Sequence, residues 1–158
     1  MKNEPACVFR VTTNDRGLVW VLDAFSEMLN AIYPKFGVSV FFESILDGTV
    51  VFFETAEDFA RFHELSKELP RVEPDERGEP ATFRVKIEKL PAGYDMRENI
   101  HLVVEGYKRL SSDVDVTMVG DDEAEIRYAN RRIFVVILER MKEVWGSLLD
   151  EKTNAGPA

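Results

Sequence analysis

Two histidines (His63 and His101), one cysteine (Cys7), an acidic triplet (Asp121-Asp122-Glu123) and an arginine pair (Arg131-Arg132) are the residues here whose types and spacing could do chemistry. Metal binding or proton relay by histidine needs two rings at ligand spacing. His63 and His101 fall on different helical segments instead, beside the Phe59-Phe62 stripe and beside Ile100, and read as surface or boundary residues. The acidic triplet has the oxygen ligands a cation wants, but three acids in a hairpin turn with no further ligand read as solvated. A single cysteine excludes an internal disulfide and a thiolate cluster. Cys7 shares strand phase with Phe9 and Val11 and reads as a small core residue. Arg131 and Arg132 fall in the first turn of the last helix, where a cation opposes the helix dipole. Asp121, Asp122 and Glu123 are expected to compensate them across the turn; the functional alternative is an anion or acidic-partner site. There is no glycine-rich phosphate loop and no nucleophile elbow. The sequence assigns no catalytic residue, no metal and no cofactor.

The elements that must position these residues come in one order, strand-helix-strand-strand-helix, twice. Residues 1–69 read as the first βαββα unit. It holds a strand over 6–13 and a helix striped by Leu18, Val21, Leu22, Phe25, Leu29 and Ile32. Strands over 38–42 and 49–53 follow, with Asp47-Gly48 as turn chemistry. Thr55 with Asp58 then opens a second helix. Residues 70–80, with three prolines and several charges, read as a linker. Residues 81–152 repeat the order: Phe83-Arg84-Val85 echoes Phe9-Arg10-Val11, and Asp95 with Glu98 makes a capping box. The last helix starts near Asn130 and buries Phe134, Ile137, Leu138, Met141, Trp145 and Leu148. Residues 153–158 read as a loose tail. Helices packed on one face of antiparallel strands define an α+β layer of ferredoxin-like type. The order of elements is compatible with one shared sheet and with two.

A chain of 158 residues, 45% hydrophobic, can bury a real core. Its net charge of -9 argues against direct nucleic-acid binding, which needs a basic face. No signal-type segment or membrane-length apolar run is visible, so a soluble, cytoplasmic protein without membrane contact is expected. The first hairpin is unusual. Phe41 points away from Val40 and Phe42, and Val50 with Phe52 opposes Val51 with Phe53, so both faces are apolar. The second hairpin shows ordinary outward residues: Asp115, Thr117, Glu125 and Arg127. An uncovered sheet face should be polar. The outer face of the first sheet, taken as Phe41, Val51 and Phe53, is therefore expected to be an interface, with the off-stripe Trp20 as an anchor. The function this implies is a non-enzymatic regulatory protein that docks on a protein partner or as a homodimer. An acidic inhibitor of another complex is one form of it.

Asp15-Arg16-Gly17-Leu18, directly after a strand and at a helix start, resembles the corner that opens the first helix of the ACT-domain family. The resemblance covers residues 8–69. The family's proline is absent here, and Pro91-Ala92-Gly93-Tyr94-Asp95 in the second half does not match. The resemblance implies an alternative function, a sensor of a small-molecule effector such as an amino acid. The ligand would sit at Asn14, Asp15, Arg16 and Gly17, where glycine gives access and unpaired helix amides receive a carboxylate.

Overall fold

The computed structural model describes residues 4–73 and 77–154, and in the last helix the side chains as far as Ser147 together with that of Asp150. The expectations for 74–76 of the linker, for the Leu148 side chain and for 155–158 of the tail lie outside the described residues. Among the described residues, runs rich in β-branched and aromatic residues form six strands: β1 (Cys7–Thr13), β2 (Val40–Ile45), β3 (Gly48–Phe53), β4 (Ala81–Lys89), β5 (Val114–Met118) and β6 (Glu123–Tyr128). Amphipathic segments form α1 (Arg16–Ile32), α2 (Ala56–Ser66), α3 (Met96–Leu110) and α4 (Ile133–Asn154). Asp15, Thr55 and Asp95 start the first three by accepting from first-turn amides, each contributing roughly 1 kcal/mol. α1 passes into a short 3-10 turn, Tyr33–Phe36, where Pro34 brings no amide and Gly37 turns the chain at φ 79. α4 reaches Asn154, so Thr153 and Asn154 are helical and not tail.

All six strands lie in one antiparallel sheet, in the order β2-β3-β1-β4-β6-β5. The chain is α+β. β1 and β4 join the two halves, and their junction is self-complementary. Val11 pairs with Val85, and the pair Phe9–Ile87 on one side answers Thr13–Phe83 on the other. The registers repeat outward from there. Cys7, Phe53 and Val40 form one cross-strand row, and Ala81, Tyr128 and Val114 form its equivalent. A pseudo-twofold axis thus passes between Val11 and Val85, and the doubled order of elements in the chain is a repeat in space.

The inner face carries Phe9, Val11, Val51, Phe53, Phe83, Val85, Ile126 and Tyr128, all buried. Phe53 is 1% exposed and stands edge-on to Phe59 at 5.4 Å and Phe62 at 4.9 Å. Val51 and Phe53 are therefore core residues, which corrects the expectation that they form an outward interface. The register turns Val50 and Phe52 outward, opposite Glu43 and Phe41. Two-residue periodicity says which side chains share a face, but not which face meets the helices. The outer face is largely charged: Arg10 pairs with Glu88, and Arg84 with Glu125 at 3.2 Å. Val50 is buried between its cross-strand neighbours Arg10 and Glu43.

Several local devices hold the layer together. Gly48 serves the approach of β1, since a Cβ there would come within 1.9 Å of the Val11 carbonyl oxygen; the turn itself is Leu46-Asp47. Asn30 of α1 closes the edge of β2 by bonding both backbone groups of Phe42, at 3.2 and 3.3 Å. The connection after α2 is docked where described. The Val72 amide donates to the Leu110 carbonyl at 2.7 Å with its side chain buried, and Glu73 accepts from the Ser112 amide at 3.0 Å. Among the described residues no helix is long and apolar enough to cross a membrane.

Candidate functional site

A cavity of about 230 Å3 lies between the sheet and the helices. Its floor is the pseudo-twofold centre, Val11 and Val85, flanked by Phe9 and Phe83. Valines are short and the surrounding rings are large, so the helices resting on those rings stand clear of the floor between them. Leu22, Phe25 and Leu29 of α1, Phe59 and Phe62 of α2, Val103 and Tyr107 of α3, and Phe134, Ile137 and Met141 of α4 wall it. The two halves do not close it equally. α1 and the 3-10 turn that follows it both meet α4, and Trp145 stands edge-on to Tyr33 of that turn at 5.3 Å and to its Phe36 at 6.4 Å. On the other side α2 has 11 residues where α4 has 22, which is about 16 Å of cover against about 33 Å. The two exposed lining residues, Leu102 and Arg109, both belong to α3, and they face half-buried His63 and Ser66 of α2. The opening lies between those two helices.

Gly106 interrupts a helix interior, at a cost of about 1 kcal/mol relative to alanine. Its missing side chain leaves room at the mouth: a Cβ there would meet only Arg109 Nη2, at 3.8 Å. The Arg109 guanidinium thus folds back over the gap, and it makes no ion pair among the described residues. Burial lowers the His63 pKa, the Lys67 and Arg109 charges lower it further, and Glu64 opposes them. The ring is neutral at pH 7 and offers one donor and one acceptor. Burial pushes the Tyr107 phenol up to about 12, so it stays protonated. Apolar walls with a few polar groups among them are the composition of a small-molecule site. The volume exceeds that of the roughly 150 Å3 cavity known to take up benzene. It suits a ligand somewhat larger than that ring.

The chemistry-bearing residues named from the sequence fall in several places. Cys7 is buried, and desolvation pushes its thiol up to about 12, which removes the reactive thiolate. His101 is exposed. Among the described residues no three His, Cys, Asp or Glu side chains gather as a metal site. At the start of α1, Asn14, Arg16 and Gly17 are exposed, and the Asp15 carboxylate accepts from the Gly17 and Leu18 amides at 2.9 and 3.4 Å. The amides expected to be unpaired and to receive a ligand carboxylate therefore already hold one from this chain. Arg131 is compensated by Asp15 and Glu79, at 3.1 Å each, and not by Asp121, Asp122 or Glu123 as expected. Burial pushes the Asp15 carboxyl up, but Arg131 and the two amides outweigh it and hold the pKa below the usual range. Trp20, 76% exposed, is on α1, and Phe41, 43% exposed, is on the opposite face of the layer, so they share no patch.

His63 alone among the named residues lies at the cavity mouth. Reading it as a helix boundary missed the site. The signal available in the sequence was Gly106, an isolated glycine within the Val103-Tyr107-Leu110 stripe and three residues before Arg109.

No protein-family model, no curated protein and no solved structure matches this chain. Fold and site define the class on their own: an α+β layer with an internal twofold repeat and a ligand-sized apolar cavity open on one side.

Proposed function

We propose that this is a non-enzymatic binding protein with a regulatory role, which takes a small, largely apolar molecule into the cavity between its helices and its sheet. One observation carries the proposal: a volume of about 230 Å3 walled by aromatic and aliphatic side chains, with His63, Ser66 and Arg109 among its few polar lining residues. Each methylene moved there from water contributes about 0.8 kcal/mol. After the costs of association, a ligand the size of octan-1-ol should bind with a Kd on the order of 0.1 mM. The mouth is formed by one helix from each half, so a bound molecule would bridge the two halves at their least covered side. That is the physical basis of the regulatory role.

Titration of the labelled chain with octan-1-ol, followed by NMR and calorimetry, tests it. Saturable one-site binding with shifts centred on Phe62 and Tyr107 is expected. Gly106→Met should weaken it at least tenfold, and Gly106→Ala should not. Absence of saturable binding by the folded parent removes the proposal.

A second reading is favoured by Phe41, which stands exposed beside Phe52 on the outer face: two copies would associate weakly through this corner. Two rings are little against the roughly 800 Å2 per partner of a stable interface. Sedimentation at high concentration decides. Phe41→Glu should abolish a dimer seen for the parent while leaving the melting transition nearly in place, and a monomeric parent ends this reading.

A further inference from the structure

We infer that the molecule taken up is an anionic amphiphile, with its carboxylate at Arg109 beside His63 and its apolar body beneath Phe25, Phe62 and Tyr107. This rests on the cavity being a ligand site and adds the chemical class of the ligand. The chain carries a net charge of -9, yet two of the three charges that act on His63 at this end of the mouth, Lys67 and Arg109, are positive, against Glu64. Lys67 is engaged by Glu64 at 3.3 Å. Arg109 has no ion pair among the described residues, and its guanidinium lies over the Gly106 gap. A guanidinium presents donors in a planar fork that matches a carboxylate, and it is more weakly hydrated than an ammonium, so it is suited to the border between water and an apolar interior.

The other end of the opening has the opposite sign. A second depression continues from Phe59, His63 and Leu102 toward the start of α3, where Asp95 and Glu98 line it together with Glu64, the partner of Lys67. Those acids repel an anion and steer it to the Arg109 end, which fixes the orientation of the ligand. Among the described residues the walls carry no charged group apart from Arg109 at the rim and, when protonated, His63. An anion with an apolar tail satisfies both regions, whereas a doubly charged or sugar-like ligand would leave polar groups against phenylalanine.

Calorimetry of the full chain with three molecules of equal chain length, octanoate, octan-1-ol and octylammonium, tests the inference. Octanoate should bind about tenfold tighter than the alcohol. Arg109→Gln should remove that advantage and leave the alcohol unchanged, and Arg109→Lys should restore part of it. Octanoate should also raise the His63 pKa in an NMR titration, which a purely structural arginine would not bring about. Equal or tighter binding of the alcohol, unchanged octanoate affinity in Arg109→Gln, or a preference for octylammonium through Glu64, Asp95 and Glu98 would each overturn the anionic class while leaving the cavity proposal standing. Binding of none of the three overturns both.

Discussion

Arg131, just ahead of the last helix, places its Nη1 3.1 Å from the carboxylate of Asp15, the residue that caps the first helix. The contact ties together the starts of α1 and α4, the two helices that close one side of the layer. It also resolves an unfavourable placement, since a cation near a helix start opposes the dipole unless an acid lies beside it. Glu79 completes the arrangement by accepting the Arg131 amide at its carbonyl, 2.7 Å away, and the guanidinium at its carboxylate.

Asp15→Ala should cost about 1 kcal/mol through the lost cap. Arg131→Gln should cost no more than about 1 kcal/mol, because its side chain is 42% exposed and the pair is screened by water. The folded-state pKa of Asp15 is depressed, so its contribution is present above the unfolded value near 3.9 and is lost as pH falls through the folded value. Chemical denaturation from pH 6 down to pH 2 should show that loss in the parent and not in Asp15→Asn. Equal slopes for the two proteins would contradict the assignment.

Phe53 and Phe41 should behave oppositely. Phe53→Ala removes a ring packed on Phe9, Phe59 and Phe62 and should cost about 3–5 kcal/mol. Phe41→Ala should cost less than about 1 kcal/mol, as expected of an exposed site. Urea melts of the two variants check the order, and a reversed order would put Phe53 on the outside.

His63 sets a second pH response. Its folded-state pKa is lowered by burial and by Lys67 and Arg109, against Glu64, so the neutral ring is the form the fold prefers. Its contribution is present above the unfolded value near 6.5 and is lost as pH falls through the folded value. His63→Gln should flatten stability between pH 7 and pH 5. An NMR midpoint at or above 6.5 for the ligand-free protein would refute the burial argument.

The order of elements and the caps at Thr55 and Asp95 were legible because their causes are local: apolar periodicity, and a side chain within reach of the next turn. The repeat was legible too, although only the registers show that it joins into one sheet. The outward set was not. Val51 and Phe53 alternate with Val50 and Phe52 in the same way whichever face the helices choose, and that choice depends on residues far along the chain. Arg131 with Asp15 is long-range for the same reason. The cavity was hidden because Leu22, Phe25, Val103 and Tyr107 form the same stripes whether they interlock or stand apart.

The Val11–Val85 junction has a kinetic consequence. Hairpins β2–β3 and β5–β6 close over two-residue and four-residue turns, but β1 meets β4 only after most of the first half has been brought round. Contacts of long sequence separation pay the loop entropy first and form late. Until they form, each half exposes an unpaired strand at what becomes the middle of the sheet, the kind of edge on which chains pair with the wrong neighbour. Refolding yield should therefore fall with protein concentration, and pulse-labelled hydrogen exchange should protect the amides of both hairpins before those of β1 that face β4. Simultaneous protection would mean that the two halves collapse as one.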